Sequence, residues 1–126
     1  MEDTMIGTTK KWIGKVGMIG VIAGQVLVSP TLLASDADVA EGKKIAFDRK
    51  KGNCLACHNI AGAPSPGNIA PALIAMKSRY PTKEALTEQI WDATIKNPES
   101  SMPPFGKHGI LSESDFKKVV EYVWTL

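Results

Sequence analysis

Cysteine, aromatic side chains and charge of one sign are all scarce in this 126-residue sequence, and each scarcity closes off a class of protein. Two cysteines rule out a disulfide-dense secreted scaffold and a four-thiolate zinc site, since neither can be built from one pair. With 15 Lys+Arg against 13 Asp+Glu, there is no basic stripe for nucleic acid and no acidic tail. Aromatics at 6% are thin for a self-sufficient core. Apolar residues nowhere alternate with period two for long enough to build a sheet. A small helical chain buries little of its surface and usually needs a staple such as a metal, a disulfide or a cofactor.

The first 34 residues differ in character from the rest. Lys10, Lys11 and Lys15 precede an uncharged stretch from Val16 to Ser35, whose most apolar part, Val16 to Val28, has the form of an export-signal core. Pro30 breaks the helix, and Ala34 supplies a small residue before Ser35-Asp36. This pattern predicts a signal peptide over 1–34, cleaved near Ala34, and a periplasmic domain over 35–126. The competing reading is an uncleaved anchor, because the stretch approaches the roughly 20 residues that span a bilayer. Gly17, Gly20, Gly24, Gln25 and Pro30 make it a poor anchor, so cleavage is preferred. Glu2 and Asp3 sit badly in a signal's positive leader, which points to Met5 as the start.

Beyond the signal, Val39, Gly42 and Ala46 recur at helical spacing and predict a short helix from about Asp38 to Arg49. Gly52-Asn53 ends it, and a loop of about fifteen residues begins at Cys54, too rich in Gly and Pro for regular structure. Thr82 is a good N-cap for a helix running to about Ile95, stopped by Asn97-Pro98. A second irregular stretch covers Pro98 to Gly109. Ser112, with Asp115 three residues on, caps a last helix whose apolar stripe is Phe116, Val119, Val120, Val123 and Trp124. Phe47, Tyr122 and Trp124 read as packing between the first and last helices. The fold class is therefore all-α, with short helices separated by two loops.

Cys54-Leu55-Ala56-Cys57-His58 carries the chemistry. A Cys-x-x-Cys pair followed at once by His reads as a c-type haem attachment site. Thiols three apart on one turn reach the two vinyl groups of one porphyrin edge, and the adjacent imidazole turns under the ring to bind iron. A thioredoxin-like dithiol would sit beside a βαβ pattern, which is missing, and a plain disulfide leaves His58 without a role.

Iron then needs a sixth ligand. Beyond the signal the methionines are Met76 and Met102, and the other imidazole is His108. Met102 is preferred: Pro98, Pro103 and Pro104 stiffen the backbone around it, and a thioether opposite His raises the reduction potential. Met76 reads as core filler, and His108 as part of an exposed turn. The Pro71 carbonyl is a candidate acceptor for the second ring N–H of His58, with an ordinary turn as the alternative. Trp91 reads first as core packing and second as a haem-edge donor. Arg79 and Lys77 read as solvated charges that could also neutralise propionates. Phe105 and Ile110 divide evenly between inward packing and an apolar contact near the haem edge.

Taken together, an N-terminal helix, Cys54 to His58, a proline-bearing loop, a methionine loop and a closing aromatic-rich helix resemble a class I cytochrome c domain over residues 37–126. The resemblance implies one haem c, attached through Cys54 and Cys57, with His58 and Met102 as iron ligands. Ala70 stands where such cytochromes commonly carry Gly before the loop proline. Narrower strings, Lys51 to His58, Pro66 to Pro71, Gln89 to Thr94, Asn97-Pro98 and Met102 to His108, resemble the SoxX family, the monohaem subunits of SoxAX complexes in bacterial sulfur oxidation. That resemblance implies an electron-accepting role in an L-cysteine S-thiosulfotransferase that joins thiosulfate to a carrier cysteine. It also implies a SoxA-type cytochrome partner, a SoxYZ-type carrier and a downstream electron acceptor. Both thiols being used for haem, sulfur conjugation would need another subunit. The alternative is a free soluble monohaem electron carrier.

Overall fold

Ser35 opens the first helix: its Oγ accepts the Asp38 N–H at 3.1 Å, and Asp36 and Asp38 place negative charge on the first turn. In the computed structural model, which describes residues 35–126, α1 covers Asp36–Phe47. It is followed by a 3₁₀ turn at Cys54–Ala56, α2 at Met76–Arg79 and α3 at Lys83–Trp91. A second 3₁₀ turn at Ala93–Ile95 and α4 at Glu113–Trp124 complete the order. Among the described residues there is no strand, only a parallel bridge between His58 and Ala70. The fold is all-helical, as the sequence predicts. The export signal expected over 1–34 lies outside the described residues. No helix among those described is long and apolar enough to cross a membrane.

The two expected caps are in place. Thr82 Oγ1 accepts the Ala85 N–H at 3.2 Å, and Ser112 Oγ accepts the Asp115 N–H at 3.1 Å. The predicted second helix is shorter than expected, ending at Trp91 rather than near Ile95. Asp92 turns extended (φ −155°, ψ 94°) and its side chain takes the Thr94 N–H. Such local bonds compete with helix continuation, so the break precedes Asn97-Pro98.

The core is organised by α1 crossing α4. Phe116, Val119, Val120 and Val123 are buried from one face of α4, each worth about 1.5–3 kcal/mol against exposure. They secure a helix of 12 residues that would be marginal alone. Ile45 and Ala46 meet them from α1, and Phe47 stacks edge-on against Tyr122 with ring centroids 6.0 Å apart. Gly42 permits the close crossing, because a Cβ there would strike the Lys118 carbonyl oxygen and lie 2.6 Å from its carbon. Lys83 to Glu121 at 2.7 Å ties α3 to α4, and Lys51 to Asp115 at 2.8 Å ties the cysteine segment to α4. Trp124, half-buried, packs against the core and lies beneath the Lys77 ammonium, 6.0 Å from its ring centroid.

Candidate haem site

After α1 the chain turns back under its own helix end. Gly52 N–H donates to the Ile45 carbonyl at 3.1 Å and Asn53 N–H to that of Asp48 at 3.0 Å. Asn53 itself is left-handed (φ 47°), a conformation that Asn adopts more readily than most residues. The 3₁₀ turn follows, and the N–H groups of Cys57 and His58 both donate to the Cys54 carbonyl, at 3.3 and 2.9 Å. The two thiols and the imidazole are thereby held on one turn. The cysteines are not joined in a disulfide. Burial pushes the Cys54 thiol up to about 11, so the unattached side chain is a neutral thiol.

His58 Nδ1 donates to the Pro71 carbonyl at 2.7 Å. A carbonyl only accepts, so the proton is on Nδ1 and the Nε2 lone pair is free for a metal. Pro71 is bracketed: Ala70 N–H donates to the Cys57 carbonyl at 3.0 Å, and Leu73 N–H to that of Asn59 at 2.8 Å. These flanking bonds place the Pro71 carbonyl even with Ala at position 70.

Cys54, Cys57, His58 and Met102 all line one cleft of about 710 Å³, within the roughly 300–1,000 Å³ of cofactor sites. Leu73, Met76, Leu86, Ile90, Val119 and Val123 supply much of its apolar wall. Imidazole and thioether donors, two thiols for covalent attachment and a largely apolar lining suit a haem. Met102 is half-buried, its N–H donating to Ser100 Oγ at 3.3 Å. Met76, 2% exposed, is core as expected, although its side chain also borders the cleft. His108 is exposed in a turn, its N–H donating to the Pro104 carbonyl at 3.0 Å, and it is not part of the lining.

Residues 39–126 match the family model described as cytochrome c. The chain belongs to the cytochrome c family. A cytochrome c domain carries a covalent haem c, and Cys54, Cys57 and His58 are the residues placed to hold it. Over 98 residues this cytochrome is 34% identical to a protein of Aquifex aeolicus (strain VF5) described as an uncharacterized lipoprotein. The match covers 75% of this chain and 46% of the relative, so the chain spans about half the length of that curated relative.

The structure decides the places of several residues that the sequence left open. Arg79 borders the cleft, Nη1 donating to the Ala72 carbonyl at 2.7 Å; Lys77 instead lies over Trp124. Trp91 is outside the lining. It is 45% exposed, so it is neither core, as its first reading had it, nor at the haem edge: it stacks edge-on against Phe116 at the surface with centroids 5.5 Å apart and covers Gly106. Phe105 is buried and Ile110 exposed, both bordering the cleft. Asp92, buried and bonded to Lys107 beyond the methionine segment, carries no sequence signal other than an acidic residue two before Thr94.

Proposed function

We propose that this cytochrome is an exported one-electron carrier with His58 and Met102 as axial iron ligands. The observation that carries this reading is the single cleft bearing both cysteines, His58 and Met102, with His58 already oriented by Pro71. When bound, the haem supplies the ferric/ferrous couple. The residues set its conditions. His58 is held in one tautomer and one orientation by the Pro71 carbonyl, so its ligand nitrogen does not have to reorganise. Leu86, Ile90 and Val119 line the cleft and would exclude water around a bound haem, and a thioether ligand from Met102 beside the His58 imidazole would favour the reduced state. If His58 and Met102 both held the iron, the chain's own donors would leave none of it open to a substrate.

The uncharged stretch after Lys15 supports export, and the lipoprotein description of the Aquifex relative supports a place outside the cytoplasm.

The test is a spectrum and a redox titration of the haem-loaded protein. Ferric wild type should show the weak thioether-to-iron charge-transfer band at the red end of the visible spectrum, lost in Met102→Ala, and titrate as a one-electron Nernst curve. A wild-type spectrum lacking that band would overturn Met102.

A second reading places the same electron-accepting chemistry inside a SoxAX-type complex with a SoxA-type partner. It is supported by the strings from Gln89 to Thr94 and Met102 to His108, while the family match is to cytochrome c in general. Co-purification from native cells with a cysteine-bearing cytochrome would favour the complex, and recovery as a monomer the free carrier.

A further inference from the structure

Asp92 is the one charged side chain among the described residues that is buried, at 2% exposure. It lies outside the cleft, and neither thioether attachment nor axial ligation accounts for a carboxylate buried there. Both of its oxygens are used. Oδ1 accepts the Thr94 N–H at 3.0 Å and the Thr94 hydroxyl, fixing the 3₁₀ turn from which the Met102 segment departs. Oδ2 takes the Lys107 ammonium at 2.7 Å, on the far side of Met102. Alongside, the N–H groups of Gly106 and Lys107 both donate to the Trp91 carbonyl at 3.3 Å.

Both flanks of the segment 96–106 therefore converge on Trp91-Asp92. Between the flanks, the bonds around Met102 are short-range. Ser100 N–H donates to the Asn97 carbonyl at 2.9 Å, Glu99 N–H to Asn97 Oδ1 at 3.2 Å, and Met102 N–H to Ser100 Oγ. A surface loop with close ends and local internal bonding is an Ω-loop, and here a charge pair forms its neck.

We infer that the Asp92–Lys107 pair is a positioning device: closing the neck keeps Met102 seated at the iron, and opening it releases the thioether while the helical frame stays folded. The inference rests on Met102 being the sixth ligand. The frame uses neither residue, since α1 and α4 pack through Gly42, Ile45, Phe116 and Val119. The Lys107 ammonium, with help from Thr94, holds the Asp92 carboxyl down at about 2, so the carboxylate is ionised throughout the neutral range. Lys107 is the accessible partner, its side chain 55% exposed, which makes it the end that can leave.

The test uses haem-loaded protein and imidazole as an external ligand for ferric iron. Lys107→Met should speed imidazole binding about tenfold or more, the scale of one charge-assisted hydrogen bond. It should also weaken the thioether-to-iron band, while helical melting followed by circular dichroism moves little. Lys107→Arg, which keeps the charge, should restore both signals. Asp92→Asn should act in the same direction, and the Asp92→Asn/Lys107→Met double variant should be no faster than the faster single. Wild-type imidazole kinetics and a full band in Lys107→Met would overturn the positioning role. So would an acceleration that merely tracks lost global stability. A wild-type spectrum without the band, unchanged in Met102→Ala, would instead overturn the ligand assignment on which the inference rests.

Discussion

Replacing Gly42 by Ala sets two effects of opposite sign against each other. Inside a helix, Ala is favoured over Gly by about 1 kcal/mol, so propensity alone predicts a more stable protein. The crossing predicts the reverse. The new Cβ would collide with the Lys118 carbonyl oxygen, lie 2.6 Å from its carbon and 3.0 Å from Tyr122 Cβ. Two of those atoms are α4 backbone, which no rotamer change can clear. The helices must move apart by a substantial fraction of an ångström, and a gap of roughly 0.5–1 Å already forfeits a quarter to a half of each contact's attraction. The loss spreads over Ile45, Ala46, Val119 and Tyr122, all buried at this interface. Overpacking of this kind costs up to about 3 kcal/mol, and subtracting the propensity gain leaves a net destabilisation of about 2 kcal/mol. Guanidinium unfolding of haem-loaded wild type and Gly42→Ala, followed by far-ultraviolet circular dichroism, measures it directly. A variant as stable as wild type, or more so, would refute the close crossing.

Acid should act on the loop neck with a definite sign. The Asp92 carboxyl is lowered from 3.8 to about 2 in the fold, so its contribution is complete above 3.8 and is lost as pH falls through about 2. The difference in thioether-to-iron band strength between wild type and Lys107→Met should accordingly shrink across that window in an acid titration. Gly106→Ala would put a Cβ into the Trp91 ring, 2.6 Å from Cζ3. It should displace the indole from Phe116 and change near-ultraviolet dichroism and tryptophan emission. Met102→Ala should lower the reduction potential in a spectroelectrochemical titration, because thioether ligation favours ferrous iron. Lys83→Met removes a partly exposed pair and should cost no more than about 1 kcal/mol by denaturant midpoint.

What could be read from the sequence was what rests on neighbours in the chain. Thr82 and Ser112 cap their helices through bonds three residues long, and Cys54 to His58 is a single turn whose chemistry is local. The end of α3 was misplaced because Asp92 prefers a side-chain bond to Thr94 over another helical turn, and that choice also serves Lys107, distant in sequence. Helix α2 has no mark in the local sequence. It has four residues, starts after Ala75 in the left-handed region (φ 51°), and its Met76 N–H donates to the Leu126 carbonyl at 3.2 Å. No window of local sequence contains that partner. The Pro71 carbonyl falls between these cases: a turn was evident, but its aim at His58 depends on the bonds of Ala70 and Leu73 across the loop.

The crossing of α1 with α4 has a topological consequence. The helices nearest the two ends of the described chain grip one another, and the loops hang between them as replaceable spans. Gly62, at φ 71° with open space around it, lies on an exposed stretch where a single cut would sever none of that grip. The resulting pieces would divide the labour cleanly: the first would keep α1, both thiols and His58, the second Met102 and α4. Neither has a core of its own, because Ile45 and Val119 bury each other's surroundings only together. Mixed, they should reassemble into a nicked molecule, and the return of the split protein's spectrum would report the grip of its two ends.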